Sequence, residues 1–190
     1  MQKIRINRDT DALIIVDLQN DFCPGGALAV PDGDIIVRVV NSLVPYFKKV
    51  YATQDWHPAN HISFKEQGGV WPPHCIAGTT GAQLHPELQA GKAIRIHKGT
   101  DPEREAYSGF QGTNLTEILT SARIERLVLC GLATDYCVRA TALDAIGNNF
   151  KVVIIADAVK GVDVKLGDSQ KALEELVLTG VRIAYFNTIA

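Results

Sequence analysis

None of the four cysteines, Cys23, Cys75, Cys130 and Cys137, forms a C-x-x-C pair with another. A zinc ribbon or a thioredoxin-like redox site needs that spacing, so both are excluded. No run of like charges occurs, and the net charge of −2 arises from both signs scattered along the chain. A basic nucleic-acid-binding surface is therefore excluded. Long apolar runs are missing as well: the longest, such as residues 12–16 and 152–156, are far too short to span a bilayer. The opening MQKIRINRDT contains no apolar h-region and no small-residue cleavage site, so no secretory signal is predicted and a cytoplasmic protein is expected. No G-x-G-x-x-G follows Val16 and no G-x-x-x-x-G-K-[ST] occurs anywhere, so a dinucleotide or P-loop reading lacks its phosphate cradle. Internal repeats and low-complexity linkers are also missing.

What remains is a chain of 190 residues, 46% apolar and 21% charged, enough for one domain spanning 1–190 with a real core. Short apolar runs alternate with helical patterns. Strands are predicted at 12–16, 50–53, 93–97, 126–130, 152–156 and 181–185. Helices are predicted at 34–49, 115–121, 135–145 and 169–178, the third stopped by Gly147. Between 54 and about 91 lies a long stretch without periodicity, rich in Gly, Pro and His. Stretches of this kind are usually functional or disordered, and its aromatics and histidines favour function. Continuous apolar strands alternating with amphipathic helices predict an α/β protein: a three-layer, Rossmann-like fold around a mostly parallel six-stranded sheet. Ligands in such sheets bind beyond the carboxyl ends of the strands.

Those ends carry chemistry. Asp17 follows the first predicted strand, Asp55 the second, Lys98 the third and Asp157 the fifth, while the segment 131–137 leads from the fourth into a helix. Acyl transfer needs an acid, a base and a thiol on one rim. Cys137 would sit in the first turn of its helix, where free N–H groups favour a thiolate, and Lys98 adds positive charge. Asp17 is placed to take the thiol proton and return it to a leaving amine. The backbone N–H groups of Ala133 and Cys137 are candidate oxyanion donors. Each residue alone has an ordinary explanation, and Asp157 reads as a cap. The second cluster is DWHPANH at 55–61 followed by WPPHC at 71–75. A carboxylate with two or three imidazoles suits a divalent ion such as Zn, Fe or Mn. Asp55, His57 and His74 are the candidate ligands, with His61 a further one. Cys75 is a conceivable soft ligand whose side chain should point away, as the neighbour of His74. Phe22, Trp71, Tyr107 and Phe110 are candidate walls for a flat ring.

VDLQNDF at 16–22 resembles the opening motif of the isochorismatase-like cysteine hydrolases, and GLATDYCVRATA at 131–142 resembles their nucleophile segment. TQDWHP at 53–58, WPPHC at 71–75, and KG at 98–99 with AYSGF at 106–110 are similar to the nicotinamidase branch of that family. The resemblance covers nearly the whole chain. It implies hydrolysis of a small molecule, nicotinamide, to nicotinate and ammonia in NAD salvage, and also of pyrazinamide. It implies Asp17, Lys98 and Cys137 as the triad, and Asp55, His57 and His74 as ligands of one divalent ion, most simply zinc, with His61 a further ligand in some members. It implies Phe22, Trp71 and Tyr107 as ring contacts. It also implies a cis Leu132–Ala133 peptide that aims the Ala133 N–H into the oxyanion hole. It implies no nucleic-acid or membrane partner and is compatible with a homo-oligomer. Two other readings stand beside it: a metal-independent amidase of the same fold acting on a ureido or carbamoyl compound, and a metal-binding or thiol redox-sensing protein without turnover.

Overall fold

Apolar runs too short for helices pair side by side when both faces can be covered, and six do so here. A computed structural model describes residues 3–190. Strands β1 (Asp11–Val16), β2 (Lys49–Asp55), β3 (Ile94–Lys98), β4 (Arg126–Leu132), β5 (Lys151–Lys160) and β6 (Arg182–Ala184) form one sheet in the order β3-β2-β1-β4-β5-β6. Every pairing is parallel. The chain starts at the middle of the sheet, builds one edge, then crosses back beside β1 to build the other. The order therefore reverses between β1 and β4, where the carboxyl ends open a crevice.

The side chains of β1 divide between two cores, as strand alternation requires. Leu13 and Ile15 join a cluster with Val37, Val40 and Leu43 of α1 (Val37–Leu43) and with Cys75, Ala82 and Ala90 of the long irregular segment. Ala12, Ile14 and Val16 join a second cluster. It contains Leu115 and Leu119 of α2 (Leu115–Ser121), Ala142 and Ala145 of α3 (Arg139–Gly147), and Leu176 of α4 (Asp168–Leu178). Three layers result, the expected architecture. Among the described residues, no helix is long and apolar enough to cross a membrane.

Differences from the sequence expectation have local causes. The helix expected at 34–49 is α only over Val37–Leu43, flanked by 3₁₀ turns at Gly33–Ile36 and Val44–Tyr46. Pro45 lies in the second turn and cannot donate the next helical hydrogen bond. β5 does not stop at 156 but continues to Lys160, because its register against β4 shifts between Leu129 and Gly131 and pairing resumes at Val159. Asp157 therefore lies within a strand and not at its end as a cap; its carboxylate accepts the Phe186 N–H (2.9 Å) from the segment after β6. Gly131 (φ +114°) sits where an added Cβ would lie 2.0 Å from the Val16 carbonyl oxygen. Only glycine lets β4 pass β1 this closely at the crevice.

Candidate active site

Sheet register alone places the first two charges. Asp55 and Lys98 are the last residues of β2 and β3 and lie directly opposite one another. Neighbouring residues on parallel strands point to the same face, and Lys98 Nζ lies 2.5 Å from Asp55 Oδ1. Asp17 follows β1 in a left-handed conformation (φ 44°), an uncommon one for a residue with a Cβ. It is held there by Thr53, whose carbonyl and hydroxyl oxygens both accept the Asp17 N–H (3.2 Å each) and whose hydroxyl donates to Asp17 Oδ1 (2.6 Å). Asp17 Oδ2 lies 3.0 Å from Lys98 Nζ, but the approach is not aligned as a hydrogen bond, so this buried oxygen has no hydrogen-bond partner. The ammonium also donates to the Ala106 carbonyl (3.0 Å) and approaches Cys137 Sγ at 3.5 Å. Oxygens of Asp17 and Asp55 and the Cys137 sulfur lie within 4.8 Å of one another. The carboxylate, amine and thiol read from distant parts of the sequence thus meet at one point.

Cys137 does not sit in an α-helical first turn. Residues Thr134–Val138 form a π-helical turn, with the Val138 N–H donating to the Ala133 carbonyl (3.0 Å), and α3 begins only at Arg139. Such turns are rare and frequent at functional sites. The Leu132–Ala133 peptide is cis. Burial raises the Cys137 thiol well above its ordinary range, with Asp17 and Asp55 adding to the rise and Lys98 opposing it. Lys98 lowers this pKa, as expected, but burial outweighs it. Burial likewise raises Asp17 against the pull of Lys98. At Asp55 burial acts in the same direction, yet Lys98 and His57 together hold the carboxyl below the usual range. Lys98 is raised: burial disfavours its charge, but the two carboxylates outweigh that.

The second oxygen of Asp55 faces the imidazoles. His57 Nε2 lies 3.5 Å and His74 Nε2 4.0 Å from Asp55 Oδ2. The far nitrogen of each ring meets a carbonyl: His57 Nδ1 donates to Gly99 O (2.9 Å) and His74 Nδ1 to Pro72 O (2.8 Å). A carbonyl only accepts, so Nδ1 of each ring carries a proton, and in the neutral imidazole Nε2 turns its lone pair toward Asp55. This is the outer-shell arrangement that orients metal-binding histidines. Bonds of about 2.1 Å at tetrahedral angles require ligand–ligand edges of about 3.4 Å. The two edges here are of that length or slightly longer, so the three residues fit a divalent ion. His61 does not join them. It stacks on His57 (4.1 Å between centroids), its Nδ1 accepts from Ser63 Oγ (2.7 Å), and its Nε2 donates to Arg104 O (3.0 Å). Both nitrogens are thereby occupied. Cys75 (φ 45°) is buried in the first core and is not part of the Asp55–His57–His74 group.

Beside both groups lies a cavity lined by Phe22, Trp71, Tyr107, Ala133 and Cys137 together with Asp55, His57 and His74. Trp71 Nε1 donates to the Tyr107 hydroxyl (3.0 Å), which fixes both rings. Tyr136, not singled out from the sequence, completes the wall, edge-on to Trp71 at 5.2 Å. Its place next to Cys137 in the nucleophile segment was the available signal. Leu28, Val30 and Val162 also line the cavity from loops, where no periodicity marks them. Phe110, expected as a wall, packs instead against Phe150 in the second core. The aromatic rings, the Cys137 thiol and the imidazoles of His57 and His74 thus line the same cavity.

Residues 11–185 match the isochorismatase domain model. The chain is 44% identical to the nicotinamidase of Escherichia coli strain K12, over 90% of this chain and 93% of that one. Among solved structures, the pyrazinamidase of Pyrococcus horikoshii in complex with zinc is 50% identical with a TM-score of 0.88, covering 92% of this chain and 98% of the other. PnC1 from L. infantum in complex with nicotinate is 37% identical with a TM-score of 0.94, covering 99% and 98%.

Proposed function

This chain belongs to the isochorismatase family, and from that premise we propose that it hydrolyses nicotinamide to nicotinate and ammonia through a thioester on Cys137, with pyrazinamide as a second substrate. The observation that supports the reading is that the Cys137 sulfur, His57 and His74 line one aromatic-walled cavity, with the Asp17 carboxylate and the Lys98 ammonium buried directly beside the sulfur. The relatives named nicotinamidase and pyrazinamidase support the substrate class, and a role in NAD salvage is consistent with it.

The residues divide the work. Phe22, Trp71, Tyr107 and Tyr136 sandwich the pyridine ring. Asp55, His57 and His74 hold one divalent ion, for which zinc is favoured by the zinc-bound relative. An ion held there would supply a Lewis-acid contact for the ring nitrogen. His61 braces His57 instead of ligating. With the ring fixed, the carboxamide faces Cys137, and such orientation lowers a barrier by up to about 7–11 kcal/mol. Asp17 Oδ2 accepts the thiol proton as the sulfur attacks the carboxamide carbon. Its raised pKa suits a group that must both take and return a proton. Lys98 stabilises the sulfur as it becomes anionic. The N–H groups of Ala133 and Cys137 hold the tetrahedral oxyanion. Asp17 then protonates the leaving nitrogen, the C–N bond breaks and ammonia departs. Water, deprotonated by Asp17, attacks the thioester. Nicotinate leaves and the thiol is restored.

The test is ammonia release from nicotinamide, pyrazinamide and a panel of ureido and carbamoyl compounds, with elemental analysis of the same sample. Turnover of the two aromatic amides by metal-containing protein is expected. Turnover confined to ureido compounds in metal-free protein would replace this reading with the metal-independent amidase of the same fold.

A further inference from the structure

The opening motif holds more than Asp17 and Phe22. Gln19 is fully buried, and its amide grips both backbone groups of Asp55: Oε1 accepts the Asp55 N–H (2.8 Å), and Nε2 donates to the Asp55 carbonyl (2.8 Å) and to the Ala82 carbonyl (2.9 Å). Every bond a buried amide needs on that side is made, and most are made to one residue. Two places along, Asp21 Oδ2 accepts the N–H of Cys75 (2.7 Å), the residue after His74, and Asp21 Oδ1 accepts the Ala27 N–H (3.2 Å). Cys75 in turn stands at φ 45°, and its carbonyl accepts the His57 N–H (3.0 Å). An added Cβ at Gly81 would collide with the Asp21 carboxylate at 2.1 Å, so the segment around Gly81 closes over it.

We propose that Gln19 and Asp21 are positioning residues that set the Asp55–His57–His74 cluster at a fixed distance from Asp17 by gripping the backbone next to its members. The argument is geometric. Asp55 ends a strand, but His74 lies in the irregular segment, which is joined to His57 by a single bridge at Ile76 and by no named strand or helix. A single heptapeptide, VDLQNDF, carries the proton acceptor and both clips, so the spacing between the reacting thiol's base and the three ligands is set within seven residues of chain. Neither side chain touches substrate in this arrangement. Both act through peptide groups, as outer-shell residues do, and loss of such a partner typically lowers metal affinity about 10–100-fold. The inference rests on the ligand assignment made above, not on the identity of the amide.

The experiment measures zinc affinity by chelator competition without substrate, on wild type, Gln19→Met, Asp21→Ala, Asp21→Asn and Leu176→Ala. Leu176 is buried in α4, within the second core, and its truncation is the control for general destabilisation. Gln19→Met and Asp21→Ala are expected to bind zinc at least about tenfold more weakly. Leu176→Ala is expected to lower the melting temperature with zinc affinity unchanged. Asp21→Asn, which keeps an acceptor for the Cys75 N–H, is expected to retain affinity within about threefold of wild type, since one neutral hydrogen bond replaces a charge-assisted one. Zinc affinity in both clip variants within twofold of wild type, or reduced no more than in Leu176→Ala, would overturn the proposal. If Gln19→Met does not fold, Asp21→Ala decides. Wild-type protein that binds zinc but releases no ammonia from nicotinamide would sink the proposed activity alone. Wild-type protein that binds no zinc would sink the ligand assignment and this inference together.

Discussion

Replacing Lys98 by methionine tests the electrostatic arrangement most directly. The ammonium is almost completely buried, 3.0 Å from Asp17 Oδ2 and 2.5 Å from Asp55 Oδ1. At an effective dielectric of about 20, attractions across those distances are about 5.5 and 6.6 kcal/mol. Much of this is offset by the cost of taking three charges out of water. Methionine fills similar space but leaves two carboxylates without their cation, and breaking a buried pair in this way costs about 3–5 kcal/mol. Urea unfolding of metal-free Lys98→Met at pH 7.5 should show a loss of that size, and the variant should release no ammonia. The loss should shrink in acid. A carboxyl whose folded pKa lies above its unfolded value of 3.8 destabilises the fold above the folded pKa, and the penalty disappears as pH falls toward 3.8. Asp17 is already raised by burial with Lys98 present, and removing the cation raises it further. Uptake of one proton by the folded variant reduces the loss by about 1.4 kcal/mol per pH unit. A loss below about 1 kcal/mol at pH 7.5, or one that stays constant down to pH 5, would refute the idea that this lysine neutralises two buried carboxylates.

Other expectations are separable. Cys137→Ala should abolish ammonia release while the circular dichroism spectrum and melting temperature stay close to wild type; retained turnover would remove the sulfur from the reaction. Iodoacetamide should label Cys137, which lines the cavity, faster than Cys130, which is fully buried with its Sγ directed at the Ile14 carbonyl; peptide mass spectrometry over time reads the order, and equal rates would contradict it. Gly99→Ala should weaken zinc binding about tenfold or more. At Gly99 φ is +62° and an added Cβ would stand 2.4 Å from His57 Cε1 and 2.6 Å from its Nδ1, so chelator competition at wild-type strength would contradict this close contact. Tyr107→Phe removes the acceptor for Trp71 Nε1 and should raise KM for nicotinamide about fivefold, the equivalent of about 1 kcal/mol; steady-state kinetics with KM unchanged would show that this bond does not hold the wall.

Strand residues were legible in the sequence because a doubly covered parallel sheet writes itself as apolar runs. Asp17, Asp55 and Lys98 could be found because each stands at or just beyond the end of such a run. The register that sets Asp55 opposite Lys98 could not be read, since it depends on pairing between strands separated by the long irregular segment. The π-helical turn at Cys137 was likewise hidden, because its one additional residue leaves the helical spacing of α3 almost unchanged. Loop residues of the wall, Leu28, Val30 and Val162, follow no period. His61 shows the limit of composition. A histidine four places from His57 looks like one more ligand until its two nitrogens are seen to serve Ser63 and Arg104.

The crossing from β3 back to β4 has a consequence for the growing chain. During synthesis the base emerges first and the ammonium some eighty residues later, but the sulfur follows only after the chain has turned back to the other flank of β1. A polypeptide still on the ribosome with β4 unmade has the three metal-site residues and part of the aromatic wall, but neither Tyr136 nor the thiol. Long-range parallel pairing of this kind is slow to form, so the newborn protein stays chemically idle until its central strand has gained both neighbours.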